Sequence, residues 1–183
     1  FGHSTSAFDS RQLWRHSLGV ATCARVIAER ASCPPEAAFS TGLLHDIGQL
    51  LMVAVAPEAC AQVRIRMRQL NESIIVAEQA VFGYDHAIAG GALAIHWQLP
   101  TDIIAGIHGH HFPDSGDDGE IGDLIHIAEV LSHGLDLGAA EHNHVPNISE
   151  IALLRLGIEW SSLATHFPEI EARYEGVRQA LSL

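Results

Sequence analysis

The spacing of apolar residues restricts this chain more than any other feature. Leu13, Val20, Ala24 and Ile27 share one face with His16, at the intervals of an amphipathic helix that Asp9-Ser10 caps and that runs to about Arg30. Residues 32–35 break that helix, and the prolines there suit the first turn of the next one. Phe39, Leu43, Ile47 and Leu50 then predict one helix from about Glu36 past Leu50, and Pro57 opens another reaching roughly Leu70. Further helices are expected over 73–82, closed by Gly83; over 86–98, capped by Asp85; and over 101–111, 121–134, 149–156 and 168–183. Segments 112–120 and 135–147, rich in Gly, Asp, Asn and Pro, read as loops. Alternating β-branched runs are missing, so the expected fold is an all-α bundle of mostly antiparallel helices. Residues 1–137 would form its core, and 138–183 a helical extension packed on the same domain.

With 48% apolar and 17% charged residues the chain can bury a substantial core. Its net charge of −12 argues against a nucleic-acid partner, since no basic stripe could replace counterions, and against an anionic membrane. A phosphate-containing small molecule stays open as a ligand, because bound cations reverse the field inside a pocket. Cys23, Cys33 and Cys60 are odd in number and lack CxxC spacing, which predicts a reduced, cytoplasmic chain. No apolar run reaches bilayer length and no signal peptide is visible.

Thirteen histidines outnumber the ten Lys and Arg residues. The pair His45-Asp46 means little alone, since roughly 0.6 such pairs are expected from composition by chance. Its placement means more. The pair is expected inside an apolar helix, Gly-Leu-Leu-His-Asp-Ile-Gly, where polar side chains must find partners. His16 points inward with Leu13 and Val20, and His111 shares a face with Ile104 and Ile107. One such histidine is more often a hydrogen-bonded core group than a ligand. Several of them, beside a carboxylate, are satisfied together by a metal ion. Imidazole and carboxylate donors suit Fe, Mn, Ni or Zn, and the lack of thiolates argues against a structural Cys-rich zinc site.

The segments Leu13-Trp-Arg-His16-Ser and Ala38-Phe-Ser-Thr-Gly-Leu-Leu-His45-Asp46-Ile-Gly48 resemble the HDOD branch of the HD superfamily. So do Gly83-Tyr-Asp-His86-Ala, Trp97-Gln-Leu-Pro100, Ile107-His-Gly-His110-His111 and Leu124-Ile-His-Ile-Ala-Glu129, in order from about Leu13 to Leu137. The resemblance implies a bacterial signalling protein, a regulatory domain beside a protein partner or fused regulatory domain. Its catalytic relatives, the HD-GYP phosphodiesterases, hydrolyse cyclic di-GMP at a metal centre. Carried over position by position, their ligands fall on His16, His45, Asp46, His86, His110, His111 and Glu129. Asp46 would bridge two divalent transition-metal ions, Fe or Mn, with Ni or Zn as alternatives. His16, His45 and Glu129 would hold one, and His86, His110 and His111 the other. In the catalytic case His45 and Asp46 sit at the reaction, where two ions about 3.5–4 Å apart polarise phosphoryl oxygens and lower the pKa of water.

Several positions depart from the catalytic pattern. Glu129 stands where the superfamily has Asp, Gln49 where catalytic relatives have Lys, and Gln12 where three-metal relatives have Glu. Phe112-Pro-Asp-Ser replaces the Gly-Tyr-Pro element. The resemblance also implies helices ahead of the Leu13 segment, which these residues do not include. Two readings follow: a regulatory domain carrying a dinuclear centre, or a metal-dependent phosphohydrolase or phosphodiesterase acting on a nucleotide or cyclic dinucleotide. A metal-free scaffold with histidines as core polar groups is the third. His108, His126 and His133 are either donors that orient ligands or helix-surface residues, and the acidic loop 114–120 is either a gate or a solvated loop.

Overall fold

The computed structural model describes residues 8–113, 119–138 and 145–183, and no strand occurs among them. Helix α1 (Ser10–Ala28) starts at Asp9, whose carboxylate accepts the amides of Arg11 and Gln12 at 3.0 and 3.1 Å. It satisfies donors that a helix N-terminus otherwise leaves unpaired. From Ser17 to Ala24 every side chain of α1 is buried, so neighbours surround this helix. The long helix α8 (Gly119–Gly134) is likewise buried from Ile121 to Ser132. A helix buried on all sides belongs at the centre of a bundle, and α1 and α8 pack together there.

The helix expected over 36–50 is two helices. α2 (Pro35–Leu44) ends at His45, and α3 (Ile47–Val55) begins after Asp46. The pair therefore lies at a corner rather than within a helix, and it can turn toward the bundle axis. Two glycines fix the corner. A Cβ on Gly42 would lie 2.7 Å from the Ala21 Cα, so α2 meets the backbone of α1 directly. A Cβ on Gly48 would lie 1.9 Å from the His86 carbonyl oxygen, so α3 meets the first turn of α6 (His86–His96) equally closely. These contacts bring Asp46 within reach of both His16 and His86.

Residues 35–55 are also long and apolar enough to cross a membrane, with a mean hydropathy of 1.3, against the expectation that no such run exists. The break at His45-Asp46 divides them, and that pair is buried in the protein.

Helices α4 (Pro57–Leu70) and α5 (Ile74–Phe82) form a hairpin beside α3, and α7 (Thr101–Gly109) joins α6 to α8. After residue 144 come α9 (Glu150–Leu156), α10 (Trp160–Leu163), a single 3-10 turn and α11 (Phe167–Ala180). Leu153, Leu163, Ile170 and Tyr174 from these last elements share one core with Leu18, Ile27 and Leu124. The turn of helix at Trp160 was not foreseen, because its four residues carry no measurable periodicity. The acidic loop considered as a gate falls at 114–118 outside the described residues, as do His142 and His144.

Candidate metal centre

Two histidines reach the site as helix C-caps. His45 follows the last residue of α2 and His110 that of α7. In each, ring Nδ1 lies 2.8 Å from the carbonyl three residues earlier, Gly42 for His45 and Ile107 for His110. A carbonyl can only accept, so each Nδ1 carries the proton and each Nε2 presents a lone pair. Both rings are fully buried, and neither Nε2 has a hydrogen-bond partner. The end of a helix supplies orphan carbonyls, and these rings use them to fix their tautomer.

Asp46 stands between the rings. Its Oδ1 is 3.0 Å from His86 Nε2 and 3.9 Å from His110 Nε2. Its Oδ2 is 3.5 Å from His45 Nε2 and 3.9 Å from His16 Nε2. Donor atoms of Asp46, His86, His110 and His111 lie within 4.8 Å of one another, as do those of His16, His45 and Asp46. A third group joins His16, Glu129 and His133. The structure thus gathers all seven residues singled out from the sequence, with one difference. Glu129 groups with His133 and His16 rather than with His45. Its carboxylate is 4.0 Å from His133, one turn along the same helix, and 3.8 Å from His111.

Glu78 is the residue that the sequence reading missed. Its Oε2 accepts both the His86 backbone amide at 2.9 Å and His86 Nδ1 at 2.7 Å. It is buried in α5, the only charged residue of Ile-Ile-Val-Ala-Glu-Gln-Ala-Val-Phe. That isolation was the available signal. His126 is also buried, with Nδ1 3.1 Å from the His110 carbonyl and Nε2 accepting the Ser149 amide at 3.3 Å, so it braces the backbone beneath a site histidine. His108 is exposed. Gln49 donates its amide to Asp46 Oδ2 at 2.8 Å, where a lysine would have placed a charge.

The electrostatics fit a cation. Burial lowers His16 to about 3, assisted by His45, and holds His110 and His111 well below the usual imidazole range. These rings stay neutral and offer lone pairs. His86 goes the other way, because Asp46 and Glu78 outweigh its burial and raise it well above the usual value. With Asp46 and Glu78 both accepting from it, His86 Nε2 also faces His111 Nε2 at 2.8 Å, a contact one proton can serve. Burial raises Glu129 to about 8, and Asp46 adds to the rise. Orphaned lone pairs on His45, His110 and Glu129 converge on a buried aspartate that the surrounding imidazoles hold ionised despite its burial. Neutral imidazoles with carboxylates are the donor set of a divalent transition metal, and the residues present fit such ions.

One side of the cluster opens into a cavity of about 450 Å³. His16, Asp46, His86, His111, Glu129 and His133 line its floor, and apolar side chains of α3, α4 and α5 form its walls.

The same arrangement of helices occurs in solved proteins. An HDOD domain protein of unknown function from Geobacter sulfurreducens is 28% identical, with a TM-score of 0.72 over 92% of this chain and 63% of that one. A candidate phosphohydrolase from Shewanella amazonensis SB2B matches with a TM-score of 0.74 at 23% identity, covering 94% of this chain and 64% of the other. A candidate signal transduction protein from Marinobacter aquaeolei VT8 matches with a TM-score of 0.80 at 18% identity, covering 98% of this chain and 40% of the other. This chain therefore spans less than two thirds of the length of each. The HDOD domain model matches residues 1–113, which hold all the site residues except Glu129 and His133. From that match, and from the fold that carries it, the chain belongs to the HDOD domain family.

Proposed function

We propose that the chain is a bacterial signal-transduction domain of the HDOD type built around a dinuclear metal centre. The observation that carries this reading is the pair of buried, unpartnered Nε2 atoms on His45 and His110, set by their helix caps to face Asp46. Leaving such acceptors unpaired in a protein interior costs about 1–3 kcal/mol each, and a bound cation removes that cost. His86, His110 and His111 would hold one ion from the Oδ1 side of Asp46, and His16 and His45 the other from the Oδ2 side, with Glu129 and His133 at its margin. Such ions supply Lewis acidity toward phosphoryl oxygens. Gln49 favours a binding role over turnover. It ties Asp46 with a neutral amide, and places no charge one turn from the pair to stabilise a phosphoryl group.

Elemental analysis of natively purified protein tests this reading. About two equivalents of transition metal are expected, and loss of both in Asp46→Ala, because that carboxylate serves each ion. Full metal content in the variant, or none in the wild type, overturns it.

The open cavity favours a second reading, a metal-dependent phosphohydrolase or phosphodiesterase, since a ligand could approach the floor directly. Metal-dependent hydrolysis of bis(p-nitrophenyl) phosphate that vanishes in Asp46→Ala would support it. Metal-loaded protein inert toward that ester and toward a nucleotide panel would sink it.

A further inference from the structure

Position 49 leaves the cluster without a cation one turn after Asp46, and a different helix supplies one. Helix α4 turns Cys60, Val63, Arg64 and Met67, spaced along one helical face, toward the cavity, and the exposed Arg68 lines it as well. Arg66, on another face, is ion-paired to Glu72 at 2.6 Å. Arg64 is half-buried and lines the cavity together with His16, Asp46 and Glu129. Among the described residues no hydrogen-bond acceptor or carboxylate lies within bonding distance of its guanidinium. Arg11 and Arg15 hold no carboxylate among the described residues either, but neither lines the cavity. Arg25, Arg30, Arg155, Arg173 and Arg178 each hold a carboxylate. Acids that share the cavity wall are already engaged, Asp9 by the amides of Arg11 and Gln12, and Glu78 by His86. A partly desolvated guanidinium without an acceptor is a planar fork matched to phosphate oxygens. Met52, Val63, Met67 and Phe82 make the surrounding wall apolar, and the volume falls in the range of small-molecule sites.

We infer that the cavity binds an organic phosphate, with Arg64 engaging the phosphoryl oxygens and the apolar walls of α3 and α4 holding the body of the ligand. The metal cluster on the floor supplies the other anchor for the phosphate, and that half rests on the proposed metal centre. The Arg64 half stands on the cavity alone.

Titration calorimetry with inorganic phosphate, phenyl phosphate and benzyl alcohol tests this on protein of measured metal content. Phenyl phosphate is expected to bind more tightly than either of the other two. Arg64→Gln should weaken it about tenfold or more with metal content unchanged, a loss of one charged anchor. Arg64→Lys should retain part of the affinity, and Arg178→Gln, on α11 away from the cavity, all of it. Unchanged metal content in Arg64→Gln separates a lost anion site from unfolding. Wild-type affinity in Arg64→Gln, or no binding of phenyl phosphate to metal-loaded protein, overturns the inference. If purified protein takes up no metal, the metal reading has failed by itself. Phenyl phosphate binding that still depends on Arg64 then upholds the Arg64 half, and binding indifferent to Arg64 overturns that too.

Discussion

The two oxygens of Asp46 face unlike surroundings. On the Oδ1 side, His86 is held by Glu78 through two contacts to one carboxylate oxygen, and His110 by the Ile107 carbonyl, with its own backbone braced by His126. His86 and His110 have no more than 1% of their surface exposed. On the Oδ2 side only His45 is so fixed. His16 and His133 keep 13% and 15% of their side chains exposed, Glu129 contributes a longer arm than aspartate, and Gln49 already occupies Oδ2. The contrast teaches that two of the donors on the Oδ1 side, His86 and His110, are set in advance by a buried carboxylate and a helix end, against His45 alone on the Oδ2 side. Both sides reach the cavity, through His86 and His111 on one and His16 on the other. Preorganised donors bind ions more tightly than donors that must be ordered on binding.

The largest effect is expected from His86→Ala. It removes a proposed metal ligand and strands Glu78 in the interior without its donor, a change of the kind that costs about 3–5 kcal/mol. Urea denaturation should show that loss of stability, and elemental analysis the loss of the ion proposed on the Oδ1 side. His16→Ala should by contrast lower metal content with little change in stability, because its ring is partly exposed and its nearest carboxylate, Asp46, stands 3.9 Å away. Equal stability losses in the two variants would break the distinction between the halves. Glu78→Gln comes next. The amide oxygen still accepts from His86 Nδ1 but without charge, so affinity on the Oδ1 side should fall about 10- to 100-fold. A competitive chelator titration that shows both ions weakened alike would mean the halves act as one unit. The smallest effect belongs to His108→Ala, whose exposed ring lies outside the metal-ligand groups, and metal content and stability should both match the wild type.

Much of the helical layout was legible in the sequence, for reasons that can be assigned to particular residues. Asp9, Ser73, Asp85 and Ser149 each cap a helix with a side-chain oxygen, because capping is a contact between near neighbours in the chain. The corner at His45-Asp46 was not legible, since Leu43, Ile47 and Leu50 keep a helical interval across it. Only the approach of α1 and α6 on either side shows why the helix breaks there. Within the candidate site, His16, His45, Asp46, His86, His110, His111 and Glu129 stood out through residue type and order. Glu78 and Arg64 did not, because nothing in α5 or α4 by itself says which neighbour a buried acid holds or which basic residue lacks a partner.

What the sequence alone determined is therefore local: where helices start, which faces are apolar, and that several histidines point inward. Periodicity specifies a face but not what lies against it. Tertiary structure decided the rest. Gly42 and Gly48 admit two backbones to within van der Waals distance, and so carry His16 and His86, seventy residues apart, to opposite sides of one carboxylate. The carbonyls that orient His45 and His110 are local, three residues back in the chain, but only packing brings the two rings to one carboxylate. Packing also left Arg64 at the wall of the cavity, the cation that position 49 lacks. Each of these is a meeting of distant segments, set by the close packing of helices that the chain specifies only one at a time.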